Sequence, residues 1–406
     1  MFLPENWPSY YSKVEGIEVT DLDGNKYLDM GINGVGSCIL GANNSVINNA
    51  VIECINRGNM STLNHINEVK LTEKLIELHP WAEMARYTRS SGEACAVAIR
   101  IARAYKNKNN IAFCGYHGWH DWYLATNIEN NGLDKHLLKG LESNGVPDGL
   151  KNTMFPFSYN NIDELENILK SNDIGIIIME PIRNILPKNN FLEKVRSLAD
   201  KYNCVLILDE VTSGFRTTPG GMHMKFNIIP DIVIYGKAIS NGYPMGVILG
   251  KKYVMDSAQN TFISSTFWTE GIGFTAALET IKTVINTKSY LYIEEICKYY
   301  KENIESLIRK HNLKIQIISI NGLNSLVFDY DNSLEIKTLF IQEMLKRGYL
   351  TTLSLYMTTS HTKDTLDKYI KDIDDFLTKY KNDIENNNIK QYLEGPIVHS
   401  GFNRLN

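Results

Sequence analysis

Four stretches of this chain combine residue types that could do chemistry together. In CVLILDEVTSGFRT (204–217) an apolar run ends in Asp209 and Glu210. A carboxylate at the C-terminal end of a buried strand lies at the mouth of an α/β sheet, although such a pair taken alone is more simply a helix cap or a surface ion pair. In DIVIYGKAISNGYPMGVILG (231–250) the run IVIY delivers Gly236 and Lys237 into a loop of small residues. A lysine held by backbone directly after a buried strand can lose part of its charge and use its amine to form a Schiff base. The alternative is a solvated surface lysine, and the apolar strand and Gly/Ser-rich turn on either side weigh against it. In RYTRSSGEACAVAIRIARA (86–104), Ser90, Ser91 and Gly92 lead straight into a helix. Free backbone N–H groups and the helix dipole there can cradle a phosphate; an ordinary serine N-cap with Glu93 in the first turn accounts for the same residues equally well. In CGYHGWHDWY (114–123), Tyr116, Trp119, Trp122 and Tyr123 can stack on a flat heteroaromatic ring. His117 and His120 have no evident partner ligand, so ring packing with a histidine hydrogen bond is a simpler reading than a metal.

Taken together the four stretches supply a phosphate cradle, an aromatic stack, a strand-end carboxylate and a strand-end lysine. Pyridoxal 5′-phosphate requires this set. Its phosphate is anionic, its ring is flat and its aldehyde takes a lysine. Its pyridine nitrogen withdraws electrons only while protonated, which a nearby carboxylate enforces.

The elements that must position these residues alternate between strand and helix from about residue 60 to 255. IAFC (111–114), IGIIIM (174–179), CVLILD (204–209), IVIY (232–235) and MGVILG (245–250) are short continuous apolar runs, as expected for strands buried on both faces of a mostly parallel sheet. Helices are expected over 67–79 and 92–107 from their apolar spacing. Before them, VTDLDGNKYLDM (19–30) reads as strand, Asp-Gly turn and strand, followed by a glycine-rich loop (31–41) and a helix over 45–57. After them, 270–312 reads as mostly helical, 321–330 as a strand, and 333–348 and 364–386 as helices. The expected fold is α/β: a large cofactor-binding domain over 61–285 with a mostly parallel mixed sheet flanked by helices, and a small α+β domain built from residues 1–60 and 286–406.

Composition narrows the partners. The 406 residues are 43% hydrophobic and 22% charged, with a net charge of −4. No global positive field draws nucleic acid or an anionic membrane surface, and no apolar run reaches the roughly 18 residues of a membrane span. The N-terminal MFLPENWPSYYSK lacks a basic-then-apolar signal pattern. Six scattered cysteines without a CxxC pair fit free thiols in a reducing cytoplasm. The chain is expected to be cytoplasmic, without nucleic-acid or membrane partners and without a metal.

The chain resembles the fold-type I, class III aminotransferases, close to the glutamate-1-semialdehyde aminomutase branch and especially its members in sugar and surface-polysaccharide pathways. The resemblance begins at WPSYYSKVEGIEVTDLDGNKYLDM and runs through NMSTLNHINEVKLTEKLIELHPWAEM, the four stretches above, FISSTFWTEGIGFTAALETI and the terminal GPIVHSGFNRLN. It implies that Lys237 forms the Schiff base with the cofactor and then moves protons as acid and base, and that Asp209 pairs with the pyridinium nitrogen. It further implies that Tyr116 and Val211 cover the two ring faces, that Ser91 and Gly92 bind phosphate, that His117 supports Tyr116, and that Glu180 lies near the cofactor. Thr266 would reach the phosphate in a neighbouring subunit, which implies a homodimer with shared active sites. Four features depart from the family pattern. Thr212 stands where many members have glutamine at the cofactor's phenolic oxygen. SSGEA replaces SGTEA, and ANNSVINNA lacks the usual His-Pro pair. The bulky WHDWY, with Trp119, Trp122, Trp268 and Glu270, would shape a different substrate pocket. The implied activity is a ping-pong transfer of an amino group from an amino acid, most simply glutamate, to a carbonyl of a sugar-like or polyol-derived acceptor. The other readings are an intramolecular aminomutase and a non-catalytic scaffold of the same fold.

Overall fold

The computed structural model describes residues 3–129, 132–135 and 140–399. The first two residues of the N-terminal stretch and residues 400–406 of GPIVHSGFNRLN lie outside the described residues. The chain forms two compact units, Met1–Ser45 with Thr287–Asn406, and Val46–Asn286. Helix Ser45–Asn56 thus goes with the large unit rather than with an N-terminal segment ending at 60. It buries Ile47, Val51 and Cys54, and its Asn48 accepts a hydrogen bond from Tyr243 OH at 2.8 Å.

The first unit opens with strands β1 (Tyr11–Glu15), β2 (Glu18–Asp21) and β3 (Lys26–Met30). The turn between β2 and β3 is organised by Asp21, whose Oδ1 accepts the N–H groups of Asp23 and Asn25 at 2.9 and 2.8 Å.

The large unit carries β4 (Met84–Thr88), β5 (Asn110–Cys114), β6 (Met154–Pro156), β7 (Ile174–Met179), β8 (Val205–Asp209), β9 (Ile232–Tyr235) and β10 (Gly246–Gly250). They form one sheet in the order β4-β10-β9-β8-β7-β5-β6. Only β10 runs against its neighbours; the other adjacent pairs are parallel. Every residue of β7, β8 and β9 is buried, because both faces are covered. Alternate residues face opposite sides of a strand. Ile176, Ile178, Val205, Ile207, Ile232 and Ile234 pack with helix Ser91–Lys106 on one face. Ile177, Met179, Leu206 and Leu208 pack with helices Ile162–Ser171 and Phe191–Lys201 on the other. The continuous apolar runs are the sequence trace of this two-sided burial. Strands β4 and β6 have mixed composition and give no such trace.

The C-terminal part of the first unit adds β11 (Ile315–Ile320), β12 (Leu323–Phe328), β13 (Tyr349–Thr351) and β14 (Ser354–Tyr356). Strand β13 pairs in parallel with β3, so the two ends of the chain share one sheet. Helix Lys363–Glu385 closes this unit, and the helical stretch before it divides at Lys288, whose φ of +51° separates Gly271–Thr287 from Ser289–His311. Among the described residues no helix is long and apolar enough to cross a membrane.

Strand β10 approaches the segment after β4 closely at Gly246. A Cβ there would overlap Thr88 Oγ1 and stand 2.7 Å from the Ser90 carbonyl oxygen. Gly246→Ala is expected to destabilise the large unit by about 1–3 kcal/mol through overpacking, read as a lower denaturant midpoint with an unchanged slope.

Candidate active site

In a parallel sheet the strands deliver their C-terminal ends to one edge, and ligands bind there. Asp209 ends β8, Lys237 follows β9, Tyr116 and His117 follow β5, and Glu180 follows β7. The registers Asp209↔Ile234 and Cys114↔Met179 bring these ends level. Ser91 and Gly92 follow β4, which runs in the same sense because antiparallel β10 lies between it and β9.

Asp209 is buried and held from three directions. Its Oδ1 accepts the Val211 N–H at 3.0 Å, and its Oδ2 accepts His117 Nδ1–H at 2.7 Å and the Cys95 thiol at 3.5 Å. His117 is itself buried and stacks on Trp122 with ring centroids 6.3 Å apart, and its Nε2 has no hydrogen-bond partner. The histidine therefore serves Asp209 directly, a sharper role than support of Tyr116.

Lys237 adopts a left-handed backbone conformation, φ +45°, at the start of the short 3₁₀ turn Lys237–Ser240. A non-glycine residue in this region stores about 1–2 kcal/mol of strain. Its Nζ donates to Thr212 Oγ1 at 2.9 Å. Loss of surrounding water pushes the amine's pKa down to about 8. The guanidiniums of Arg183 and Arg216 push the same way, against the carboxylates of Glu180 and Asp209. Thr212 is thus placed at the amine itself.

Helix Ser91–Lys106 begins with a capping box. Ser90 Oγ accepts the Glu93 N–H at 3.3 Å, and Glu93 Oε2 accepts the Ser90 N–H at 2.9 Å. The cap and the phosphate cradle are therefore not alternatives. Ser90 and Glu93 serve each other, and the amides of Ser91 and Gly92 remain as first-turn donors with no partner inside the helix. A Cβ on Gly236 would overlap Ser91 Oγ, and one on Gly118 would stand 3.3 Å from Gly92 Cα. The cradle thus packs against both the lysine loop and the aromatic loop.

Tyr116 is half-buried, edge-on to Tyr123 at 5.9 Å. Glu180 fixes it: Oε2 accepts the Tyr116 N–H at 3.0 Å. The carboxylate occupies the space a Cβ would take at Gly115, whose φ of +116° also favours glycine. Arg183 Nη1 lies 3.2 Å from Glu180 Oε2, and its guanidinium carbon is 5.9 Å from the Tyr116 ring centre.

The structure thus brings Ser91, Gly92, Tyr116, His117, Glu180, Asp209, Val211, Thr212 and Lys237 to one edge of the sheet. Thr266 is exposed in the short turn Thr266–Thr269, and no hydrogen bond joins it to this cluster. Two residues expected to shape a substrate pocket have partners within the large unit. Trp122 is 6% exposed. Glu270 accepts the N–H groups of Ile272 and Gly273 at 2.7 and 3.0 Å and pairs with Arg89 at 2.8 Å. Sequence reasoning missed Cys95, Arg183, Arg216 and the buried Glu210–His223 pair, which is 2.9 Å apart. Arg216 and Glu210 stand inside a quoted motif, and Arg183 lies three residues after Glu180. That spacing was the available signal.

The chain matches the family described as Aminotransferase class-III over residues 4–377. It is 33% identical over 342 residues to a protein of Cloacimonas acidaminovorans named 3-aminobutyryl-CoA aminotransferase, covering 82% of this chain and 78% of that one. It is 31% identical to a glutamate-1-semialdehyde 2,1-aminomutase of Sulfurisphaera tokodaii, covering 90% and 92%. The FumI protein of Sphingopyxis sp. MTA144, solved in a form with PLP, superimposes with a TM-score of 0.85 at 21% identity over 95% of this chain and 92% of that one. This last likeness establishes the fold as that of the fold-type I transaminases.

The dehydrated amine has a measurable consequence. In the cofactor-free protein, Lys237 is expected to react with an amine-directed reagent with a midpoint near pH 8. Its folded value lies below the ordinary 10.5, so the unfolded chain binds more protons between those values. Deprotonating the unfolded chain thus removes a cost of burial, and stability gains from this group as pH rises from about 8 to 10.5. Peptide mapping of the labelled protein across pH 7–11 checks the midpoint.

Proposed function

We propose that this chain, which belongs to the class III aminotransferase family, takes an amino group from an amino acid, glutamate most simply, and passes it to a carbonyl of a small sugar-like or polyol-derived acceptor in a polysaccharide-building pathway. The observation that carries the reading is Lys237, an amine of lowered proton affinity at a strand end in the same charge network as Asp209. The family is one of pyridoxal 5′-phosphate enzymes, and the residues present fit that cofactor. The Ser91 and Gly92 amides receive an anion, the Tyr116 ring and Val211 side chain offer two flat faces, and a buried carboxylate and a reactive amine complete the set.

When bound, the cofactor supplies an aldehyde that takes an amine and a ring that withdraws electrons from the neighbouring carbon. The chain does the rest. Lys237 Nζ would hold the aldehyde and would move the proton at the substrate carbon, a task for which a pKa near the working pH is suited. Asp209 would pair with the ring nitrogen and keep it protonated. The His117 and Val211 donors fix its direction. Glu180 holds the Tyr116 backbone, so the stacking ring keeps its place. Two half-reactions then use one site in turn, the ping-pong pattern.

A homodimer belongs to the same reading. Phe262 is 85% exposed, Phe267 64% and Leu63 81% in the single chain. Apolar surface of this kind is what a second copy covers, and Thr266 stands in the same segment as two of these residues. We place the enzyme in the cytoplasm, consistent with free cysteines. A second reading, an intramolecular aminomutase, is favoured by the aminomutase-named relatives and would use the same residues.

Mixing the loaded enzyme with L-glutamate alone separates the two. The transferase releases one oxoacid per site with loss of the cofactor's visible band; an aminomutase that does not use glutamate leaves both unchanged. Lys237→Ala is expected to lower turnover by several orders of magnitude while the cofactor still binds non-covalently. Asp209→Ala is expected to collapse turnover as well, through loss of the ring proton. Steady-state kinetics on folded variants checks both, and near-wild-type turnover in Lys237→Ala would sink the reading.

A further inference from the structure

The functional reading leaves one cation beside the amine without a task. Arg183 and Arg216 both oppose a proton on Lys237, and they act more strongly than Glu180 and Asp209 favour it. An anionic group brought to the amine therefore meets two guanidiniums as well as two carboxylates. Of the four described cationic or potentially cationic groups there, Lys237 is reserved for covalent work and His117 for Asp209. Arg216 is 1% exposed and donates Nε–H to the Thr212 carbonyl oxygen at 2.5 Å, so it is part of the loop wall. Arg183 differs. Its side chain keeps 24% of its surface open while Glu180 and the Tyr116 ring fix where the guanidinium stands.

We propose that Arg183 is a specificity-determining residue that receives a carboxylate of the amino donor. The inference rests on the aminotransferase reading above. A guanidinium presents its donors in a planar fork that matches a carboxylate with two parallel hydrogen bonds. Glu180 makes the resting state inexpensive to maintain, because the guanidinium is never left without a counter-charge when the site is empty. The same anchoring limits the side-chain freedom a donor must freeze on arrival. An amine without a carboxylate gains none of this, so the effect appears as discrimination between donors.

The test uses the full chain loaded with cofactor as wild type, Arg183→Gln and Arg183→Lys. The cofactor's visible band gives second-order rate constants for the half-reaction with L-glutamate and with 1-phenylethylamine, which has no carboxylate. Calorimetry gives the Kd of glutarate, which has two carboxylates and no group to transfer. In Arg183→Gln the glutamate-to-phenylethylamine ratio is expected to fall about 10- to 100-fold and the glutarate Kd to rise at least about tenfold, on the scale of a charge-assisted hydrogen bond. Arg183→Lys is expected to recover part of both, because it keeps the charge and loses the fork. Ratios and Kd values within twofold of wild type in both variants overturn the proposal. If Arg183→Gln does not fold, Arg183→Lys carries the test, with at least a threefold loss expected and no loss overturning it. If wild-type enzyme reacts with neither amine, the aminotransferase reading has failed, and the glutarate titration decides on Arg183 by itself.

Discussion

A lysine amine taken out of water is the constraint on which the rest of this site depends. An exposed ammonium stays protonated at neutral pH and is a poor nucleophile; a buried one loses charge but needs surroundings that tolerate it in both forms. Here the tolerance comes from geometry. Strand β9 is buried along its whole length and ends two residues before Lys237, so the backbone cannot follow the lysine out to solvent. The left-handed turn at Lys237 redirects the chain within a single residue, and Thr212 gives the amine a neutral acceptor at 2.9 Å. A carboxylate in that place would have restored the ordinary proton affinity. A hydroxyl leaves it lowered.

The surrounding loops have to be stiff for this to persist, and acidic residues just past strand ends stiffen them. Glu180 follows β7 and reaches across to the loop after β5, where it holds the Tyr116 amide and takes the room that glycine leaves at position 115. Glu210 follows Asp209 and turns the other way. Its carboxylate accepts the backbone N–H of His223 at 2.8 Å and is also held by the Ser213 hydroxyl. It thus ties down both ends of the segment that carries Val211, Thr212 and Arg216. Burial opposes charge on Glu210, yet His223 and Ser213 outweigh it and hold the carboxyl below its usual range. The adjacent acids Asp209 and Glu210 therefore take different partners, one held by His117, Val211 and Cys95 at the strand end and the other holding the loop that follows.

What the sequence could reveal follows from how each feature is encoded. Strands β5, β7, β8, β9 and β10 were legible because two-sided burial demands uninterrupted apolar residues. Strand β4 is antiparallel to β10 and only partly buried along MAR, so its residues carry no such mark. The placements legible in advance were those that chain position alone gives: a lysine after one strand, an aspartate ending another, small residues opening a helix. Roles that depend on side chains meeting across the fold were not. Nothing local says that Cys95, four residues into its helix, points at Asp209, or that Trp122 turns into the core while Trp119, three residues earlier, stays 67% exposed. The same holds for Glu270, which reads as a pocket acid until its two backbone partners and Arg89 are seen.

Departures from the family pattern can now be weighed by where they fall. SSGEA differs from SGTEA at the helix start expected to cradle an anion, and any side chain compatible with a helix start leaves the first-turn backbone N–H groups in place. The capping box at Ser90 and Glu93 supplies that start. Thr212 is different in kind, because it acts through a side-chain atom on the amine. A hydroxyl at 212 leaves room that a longer amide side chain would fill, and a guanidinium at 183 brings positive potential toward the same point. The strand ends of this fold thus bring the Lys237 amine to the sheet edge. The loops after β7 and β8 set the charges around it.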